Sequence, residues 1–205
     1  MHIQKFDNHD DWKAARVGKV TGTVLKNIVT LRGNTKKIGY WQLLADRLCS
    51  PADEENPMER GLRLEEEAIK EFTEITGKEV NIDLVIWSRD DNSNVALSPD
   101  GYIETDGKVT EAVEVKCLSS AKHIEAKVTG KVPKEYEFQV LQYFIVNDDL
   151  EQLHVVLYDP RFIENLQTVI ITVDRETLKD DIETYREYQE KMLVEIEELA
   201  TKLSF

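Results

Sequence analysis

The chain has 205 residues, a formal charge of −14 and two cysteines. That length supports a single domain, 1–205, with a real core, and no Pro/Gly/Ser-rich linker divides it. No apolar run approaches the ~18 residues of a membrane helix, and without a C-x-x-C the cysteines alone build neither a zinc nor an iron–sulfur site.

Met1 to Lys5 lacks an apolar signal segment, so a cytoplasmic protein is expected, with Cys49 and Cys117 as free, buried thiols. The acidic balance is the strongest evidence against a nucleic-acid role, because duplex binding usually runs on basic surface and counterion release. It leaves room for local basic segments, which occur at Arg16 to Lys19, Arg32 to Lys37 and Lys122 to Lys134.

Taken in chain order, helices are expected over Asp10 to Val17, Thr23 to Val29, Gly39 to Cys49 and Pro57 to Thr76. Strands follow over Val80 to Trp87, Asn94 to Leu97 and Thr110 to Cys117. Helices over Ser120 to Val128 and Lys134 to Val146 precede strands over Gln152 to Tyr158 and Thr168 to Val173. A long helix, 174–203, closes the chain. The order reads as α/β, a mixed central β-sheet with helices on both sides. On the last helix Tyr185, Tyr188, Met192, Ile196, Leu199 and Leu203 recur at steps of three or four. Such a stripe is usually intramolecular core.

Two acids stand out. Ser98-Pro99-Asp100-Gly101 ends one strand at a turn, and Glu114-Val115-Lys116 lies in the next. Alternation puts Ala112, Glu114 and Lys116 on one face of that strand, with Val113, Val115 and Cys117 on the other. Asp100 and Glu114 converging on one edge repel unless a cation lies between them. Oxygen ligands of this kind suit Mg²⁺ or Mn²⁺, with water and substrate phosphate filling the remaining positions. A surface ion pair between Glu114 and Lys116 is the plainer alternative.

On the helix Pro57 to Thr76, Leu64, Ala68, Ile69, Phe72 and Ile75 share one arc, and Glu65 projects into its middle. A carboxylate aimed at a core is costly unless paired, protonated or metal-bound, which makes Glu65 a candidate third acid. On the helix after Pro133, Phe138, Leu141 and Tyr143 to Val146 supply an apolar face flanked by Gln139 and Gln142. Arg16 to Thr23 is basic and hydroxyl-rich, suited to a phosphate. His2, His9, His123 and His154 are scattered, so surface or turn placement is expected for each.

In order and spacing these motifs resemble the lambda exonuclease or YqaJ-type viral recombinase family of the PD-(D/E)XK nucleases, over nearly the whole chain. The matching segments are Trp12 to Thr23, Gly61 to Ala68, Ser98 to Gly101, Glu114 to Cys117, Tyr136 to Tyr143 and Tyr158-Asp159-Pro160-Arg161. The resemblance implies a restriction-endonuclease-like core and a Mg²⁺-dependent 5′ to 3′ exonuclease. It would degrade one strand of linear double-stranded DNA, leaving a 3′ overhang for phage-type recombination by strand annealing.

By the same resemblance Asp100, Glu114 and the Val115 carbonyl hold one or two Mg²⁺ ions, with Glu65 assisting through water. Lys116 polarises the scissile phosphate or activates the water, and Gln139 orients the lysine or the water. Gln142 is the alternative, because the family pattern is Q-V-Q-Y and this chain reads Q-V-L-Q-Y. Arg16, Thr23 and Ser98 hold the 5′-phosphate, with Thr23 standing where the family has serine, and Lys122 and Arg32 contact DNA.

Implied partners are duplex ends, a single-strand annealing protein and further copies of the chain in a ring trimer, in the cytoplasm of a bacterial host carrying the phage or prophage. A structure-specific or restriction-type endonuclease of the same superfamily and a non-cutting DNA-end binder are the competing readings.

Overall fold

The computed structural model describes residues 36–50 and 57–203, with residues 8, 11, 14 and 15 beside them; side chains in the second stretch are described from Arg63 onward. The elements are α1 (Ile38–Ala45), α2 (Pro57–Thr76), β1 (Trp87–Ser88), β2 (Ala96–Leu97), β3 (Gly101–Thr105), β4 (Lys108–Lys116), α3 (Ser120–Thr129), α4 (Glu137–Val146), β5 (Gln152–Tyr158), α5 (Glu164–Gln167), β6 (Thr168–Asp174) and α6 (Lys179–Leu203). Short 3-10 turns, Lys134–Tyr136 and Arg175–Leu178, lead into α4 and α6.

A four-stranded mixed sheet runs in the order β3-β4-β5-β6, flanked by helices. β3 and β4 form an antiparallel hairpin. Contacts between β4 and the chain entering and forming β5 advance together along both, Lys108 meeting Asp149 just before β5 and Glu111 meeting His154 within it. Those between β5 and β6 run oppositely, Gln152 meeting Asp174 and His154 meeting Thr172. The parallel pair needs a crossover, and α3 and α4 supply it.

The chain divides into two compact units. One holds 1–68, 116–131 and 157–169, and the other holds 69–115, 132–156 and 170–205. In the first, Trp41, Ala45, Ala121, Ile124 and Phe162 form a buried cluster edged by Leu44, Leu48, Cys49 and Leu166. In the second, Phe72, Val113, Tyr143, Phe144, Leu153, Val155 and Val156 are among the fully buried side chains. Arg175 closes the C-terminal end of α4 there, donating to the carbonyls of Phe144, Asn147 and Leu150.

Several expectations need correction. β3 is additional to the expected strands: Asp100 precedes a strand instead of merely ending one, and the signal lies in Asp106-Gly107. Asp106 has φ 53° and Gly107 φ 79°, the left-handed pair of a two-residue hairpin turn. The expected strand over Val80 to Trp87 reduces to an Asn81–Tyr102 bridge and β1, leaving Ile82, Leu84 and Ile86 exposed. α1 ends at Ala45, and Cys49 instead bridges Phe162.

Ile75, placed with the apolar arc of α2, is exposed, as is Phe138 on α4; Phe138 packs edge-on to Tyr185. Both cysteines are half-buried thiols outside any disulfide. His123 and His154 are core residues. His123 stacks on Phe162 and bonds the Leu166 carbonyl, while His154 bridges Glu111 and Thr172. The stripe on α6 is exposed, and only Ile182 of that helix is buried.

Candidate active site

The hairpin brings the two acids together. Gly101 pairs with Val113, so continuing the register by one residue sets Asp100 opposite Glu114. At the turn the pairing is Thr105 with Lys108, a register that would aim Asp100 at Val113. The irregularity between Ile103 and Glu104, where β4 carries one extra residue, shifts it. A one-residue slip exchanges the faces of a strand, so this bulge decides that two carboxylates meet.

Gly101 admits no side chain. A Cβ built there lies 2.5 Å from Val80 Cγ1, which accounts for glycine directly after Asp100. At the strand start the Asp100 carboxylate accepts the Val115 N–H at 2.7 Å.

β4 is covered on both faces, with Ala112, Val113, Glu114 and Val115 all buried, so alternation alone understates its burial. Glu114 is 4% exposed. One of its oxygens accepts from Gln139 Nε2 at 2.6 Å, and the other from the Tyr143 hydroxyl. Gln139 and Tyr143 stand four apart on α4 and so share a face of the helix. Burial, followed by the charges of Glu114 and Asp100, pushes the Tyr143 phenol far above its ordinary range. It therefore remains a neutral donor. Trp87 packs edge-on against both Tyr102 and Tyr143 and walls this corner.

Gln142 goes elsewhere, donating to the Ala96 carbonyl at 3.4 Å and accepting from Gln189 of α6 at 2.9 Å. Of the two glutamines, Gln139 is the one on Glu114. Sequence reasoning places Tyr143 only in an apolar face. Its four-residue spacing from Gln139 is the signal that could single it out.

Lys116 is the last residue of β4 and is half-buried. Ser98 is exposed just after β2, and Lys122 is half-buried on α3. Glu65 is half-buried on α2 between the buried Leu64 and Ala68. Arg16, Thr23 and Arg32 lie outside the described residues. Among the described residues no group of three or more His, Cys, Asp or Glu side chains is gathered as a metal set. Asp100 and Glu114 are still a hard-oxygen pair whose held carboxylates fit Mg²⁺, an ion that usually takes one or two carboxylates and keeps several waters.

Residues 11–149 match the model of the YqaJ-like viral recombinase domain. The chain belongs to this family. Among solved structures, an alkaline exonuclease from Laribacter hongkongensis, LHK-Exo, is 27% identical, with a TM-score of 0.60 and a match covering 96% of this chain and 98% of that one. LHK-Exo in complex with dAMP matches at 28% identity, with the same TM-score and coverage. No curated protein matches the chain. The sheet and its helices are the PD-(D/E)XK fold of phage-type exonucleases. In this YqaJ-like chain no described helix is long and apolar enough to cross a membrane.

Proposed function

We propose that this chain is a Mg²⁺-dependent exonuclease that removes nucleotides from the 5′ end of one strand of linear duplex DNA. The 3′ overhang it leaves would serve recombination by strand annealing. The coarse class is plain: the chain is a nuclease, a hydrolase acting on DNA, with a role in phage-type recombination. The observation that carries the finer reading is the pair Asp100 and Glu114, set opposite each other and fixed by donors from β4 and α4.

Asp100, Glu114 and the Val115 carbonyl would hold the ion, with Glu65 assisting through water; Mn²⁺ would substitute. When bound, the ion would supply a hydroxide at neutral pH and offset charge on the phosphoryl oxygens. Asp100 and Glu114 present their oxygens in a fixed arrangement, with no reorganisation needed when substrate arrives. Gln139 and Tyr143 hold Glu114. Lys116, two residues along the same strand, supplies a positive charge for the phosphate or the attacking water.

Arg16, Thr23 and Ser98 would receive the terminal 5′-phosphate, and Lys122 and Arg32 would follow the DNA backbone. A single-strand annealing protein and a ring of three copies complete the reading.

The test uses the purified protein, Mg²⁺ and linear duplexes labelled at either end, with and without a 5′-phosphate, beside a closed circle. Loss of 5′-terminal nucleotides from phosphorylated linear DNA, with the circle intact, is expected. Cutting of the circle would favour an endonuclease, and absence of cutting in Mg²⁺ and Mn²⁺ would leave a DNA-end binder.

A further inference from the structure

Directly after β5 the chain turns through Asp159-Pro160-Arg161. Proline fixes its own φ and helps fold the chain back, so that side chains two apart meet. The Arg161 guanidinium grips both oxygens of Asp159, Nε on Oδ1 at 2.8 Å and Nη2 on Oδ2 at 2.7 Å, and the Arg161 N–H donates to Oδ1 at 3.2 Å. Asp159 is fully buried, and the Arg161 side chain is 18% exposed. Buried Ser120 is the third member: its hydroxyl donates to Asp159 Oδ2 at 3.1 Å and accepts from Arg161 Nη2 at 2.6 Å. A hydroxyl donates and accepts at once, so the three side chains close a ring of hydrogen bonds.

Such a trio is a poor source of stability. Taking an ion pair out of water costs about as much as the pairing returns, and an apolar set of similar volume often does as well. What a satisfied polar network supplies is a single geometry. Ser120 opens α3, and Cys117, Leu118 and Ser119 are all that separate it from Lys116, the last residue of β4. β4 and β5 are parallel neighbours, so Lys116 and Asp159 leave the sheet at the same edge.

The short linker is anchored in its middle by the buried Leu118 and at its far end by the Ser119 carbonyl, which accepts the His123 N–H at 2.9 Å. The turn that holds Ser120 is itself tied down. The Arg161 carbonyl accepts the Ser50 N–H at 3.0 Å, and Phe162 bridges Cys49.

We propose that Ser120, Asp159 and Arg161 are positioning residues that set where the Lys116 ammonium stands. The ladder of β4 fixes Lys116 from its N-terminal side, and the trio fixes it from the C-terminal side. The inference rests on Lys116 serving the phosphate or the attacking water, as proposed above. A reacting group displaced by about 1 Å can lose on the order of 10²-fold in rate, which is what the trio prevents.

The experiment measures steady-state cleavage of linear duplex by the full chain in saturating Mg²⁺, with Asp159→Asn and Ser120→Ala each made in the parent and in a Lys116→Ala background. In the parent, Asp159→Asn is expected to lower kcat by about 10²-fold. Ser120→Ala is expected to lower it roughly tenfold, the scale of one net hydrogen bond, with KM for DNA unchanged in both. In the Lys116→Ala background each should lower the residual rate by less than about twofold, because the group they position is gone. A purely structural role would reduce both backgrounds by the same factor.

Asp159→Asn takes the charge partner from a buried guanidinium; where that variant fails to fold, Ser120→Ala, which keeps the ion pair, decides. Parental kcat in the single variants, with Lys116→Ala inactive, would overturn the inference and leave the reading of Lys116 standing. Equal losses in both backgrounds would overturn it too. Parental cleavage by Lys116→Ala would instead remove the role of Lys116 and the inference with it.

Discussion

Glu111 and Glu114 stand three residues apart on β4 and point to opposite faces of the sheet. Glu111 is met by basic groups: the Lys78 ammonium and His154 Nε2, the latter at 2.6 Å, both reach the same oxygen. Gln139 and Tyr143 place an amide and a phenol on the two oxygens of Glu114, donors that fix these oxygens without themselves adding charge. An acid that ties a sheet together is served best by cations. An acid that must bind one is served best by neutral donors that set its geometry and preserve its charge.

The sharpest way to break this contrast is to neutralise each acid in turn. Glu114→Gln is expected to lower DNA cleavage by roughly 10³-fold, with Asp100→Asn and Lys116→Ala comparable and DNA binding largely kept. Glu111→Gln is expected to leave cleavage within about twofold, since a structural acid lacks the catalytic share that such losses measure. Equal loss from both glutamate variants would erase the distinction.

A smaller effect tests the neutral donors. Tyr143→Phe keeps the buried ring and removes one hydrogen bond to Glu114, and orienting partners of this type typically contribute about 10–100-fold in metal affinity or activity. A rise in the Mg²⁺ concentration needed for half-maximal cleavage is expected, with Gln139→Ala alike. An unchanged Mg²⁺ requirement would mean that the donors serve packing alone.

One side of this contrast, the Asp100 and Glu114 pair, stands out in the sequence; the Glu111 side does not, for definite causes. Asp100, Glu114 and Lys116 are visible as ionisable residues at strand spacing beside a Pro/Gly turn, a pattern that by itself reads more plainly as a surface ion pair and gains weight only beside Glu65, the Gln139 helix and the basic N-terminal segment. That Asp100 faces Glu114 does not follow from the residue pattern, because it depends on one extra residue in β4, and bulges leave no reliable mark in a single chain. The burial of His154 escapes a local reading because its partners, Glu111 and Thr172, are 43 and 18 residues away in the chain. α2 and the ends of β5 follow from periodicity, which is local. The exposure of the α6 stripe does not, since the spacing of apolar residues states that a face exists and leaves open what covers it.

Glu111 also offers a pH test. Burial pushes its carboxyl up, but hydrogen bonds from His154 and Lys78 outweigh this and leave it below the ordinary value of 4.5. A group lowered on folding stabilises the native state above its unfolded value, and that contribution is lost as pH falls through the folded value. The stability that the Glu111 carboxylate contributes should thus be lost as pH falls below about 4.5, the ordinary value from which Glu111 is lowered. Glu111→Gln is expected to lose about 1–2 kcal/mol at neutral pH and to flatten the acid limb of a denaturation series. A wild-type and variant difference that stays constant down to about pH 3, below the ordinary carboxyl range, would assign the loss to something other than the charge.

The smallest expected effect separates the two glutamines. Gln142 links the Ala96 carbonyl and Gln189, so Gln142→Ala removes contacts between neighbouring elements without reaching Glu114. A loss of up to about 1 kcal/mol in stability is expected, because a net hydrogen bond is worth roughly that much. Cleavage and its Mg²⁺ dependence should stay within about twofold of the parent, against the roughly 10–100-fold assigned to Gln139. If Gln142→Ala instead moved the Mg²⁺ midpoint while Gln139→Ala did not, the acid on β4 would be oriented from the other glutamine, and the amide bonded to Glu114 here would be a packing contact.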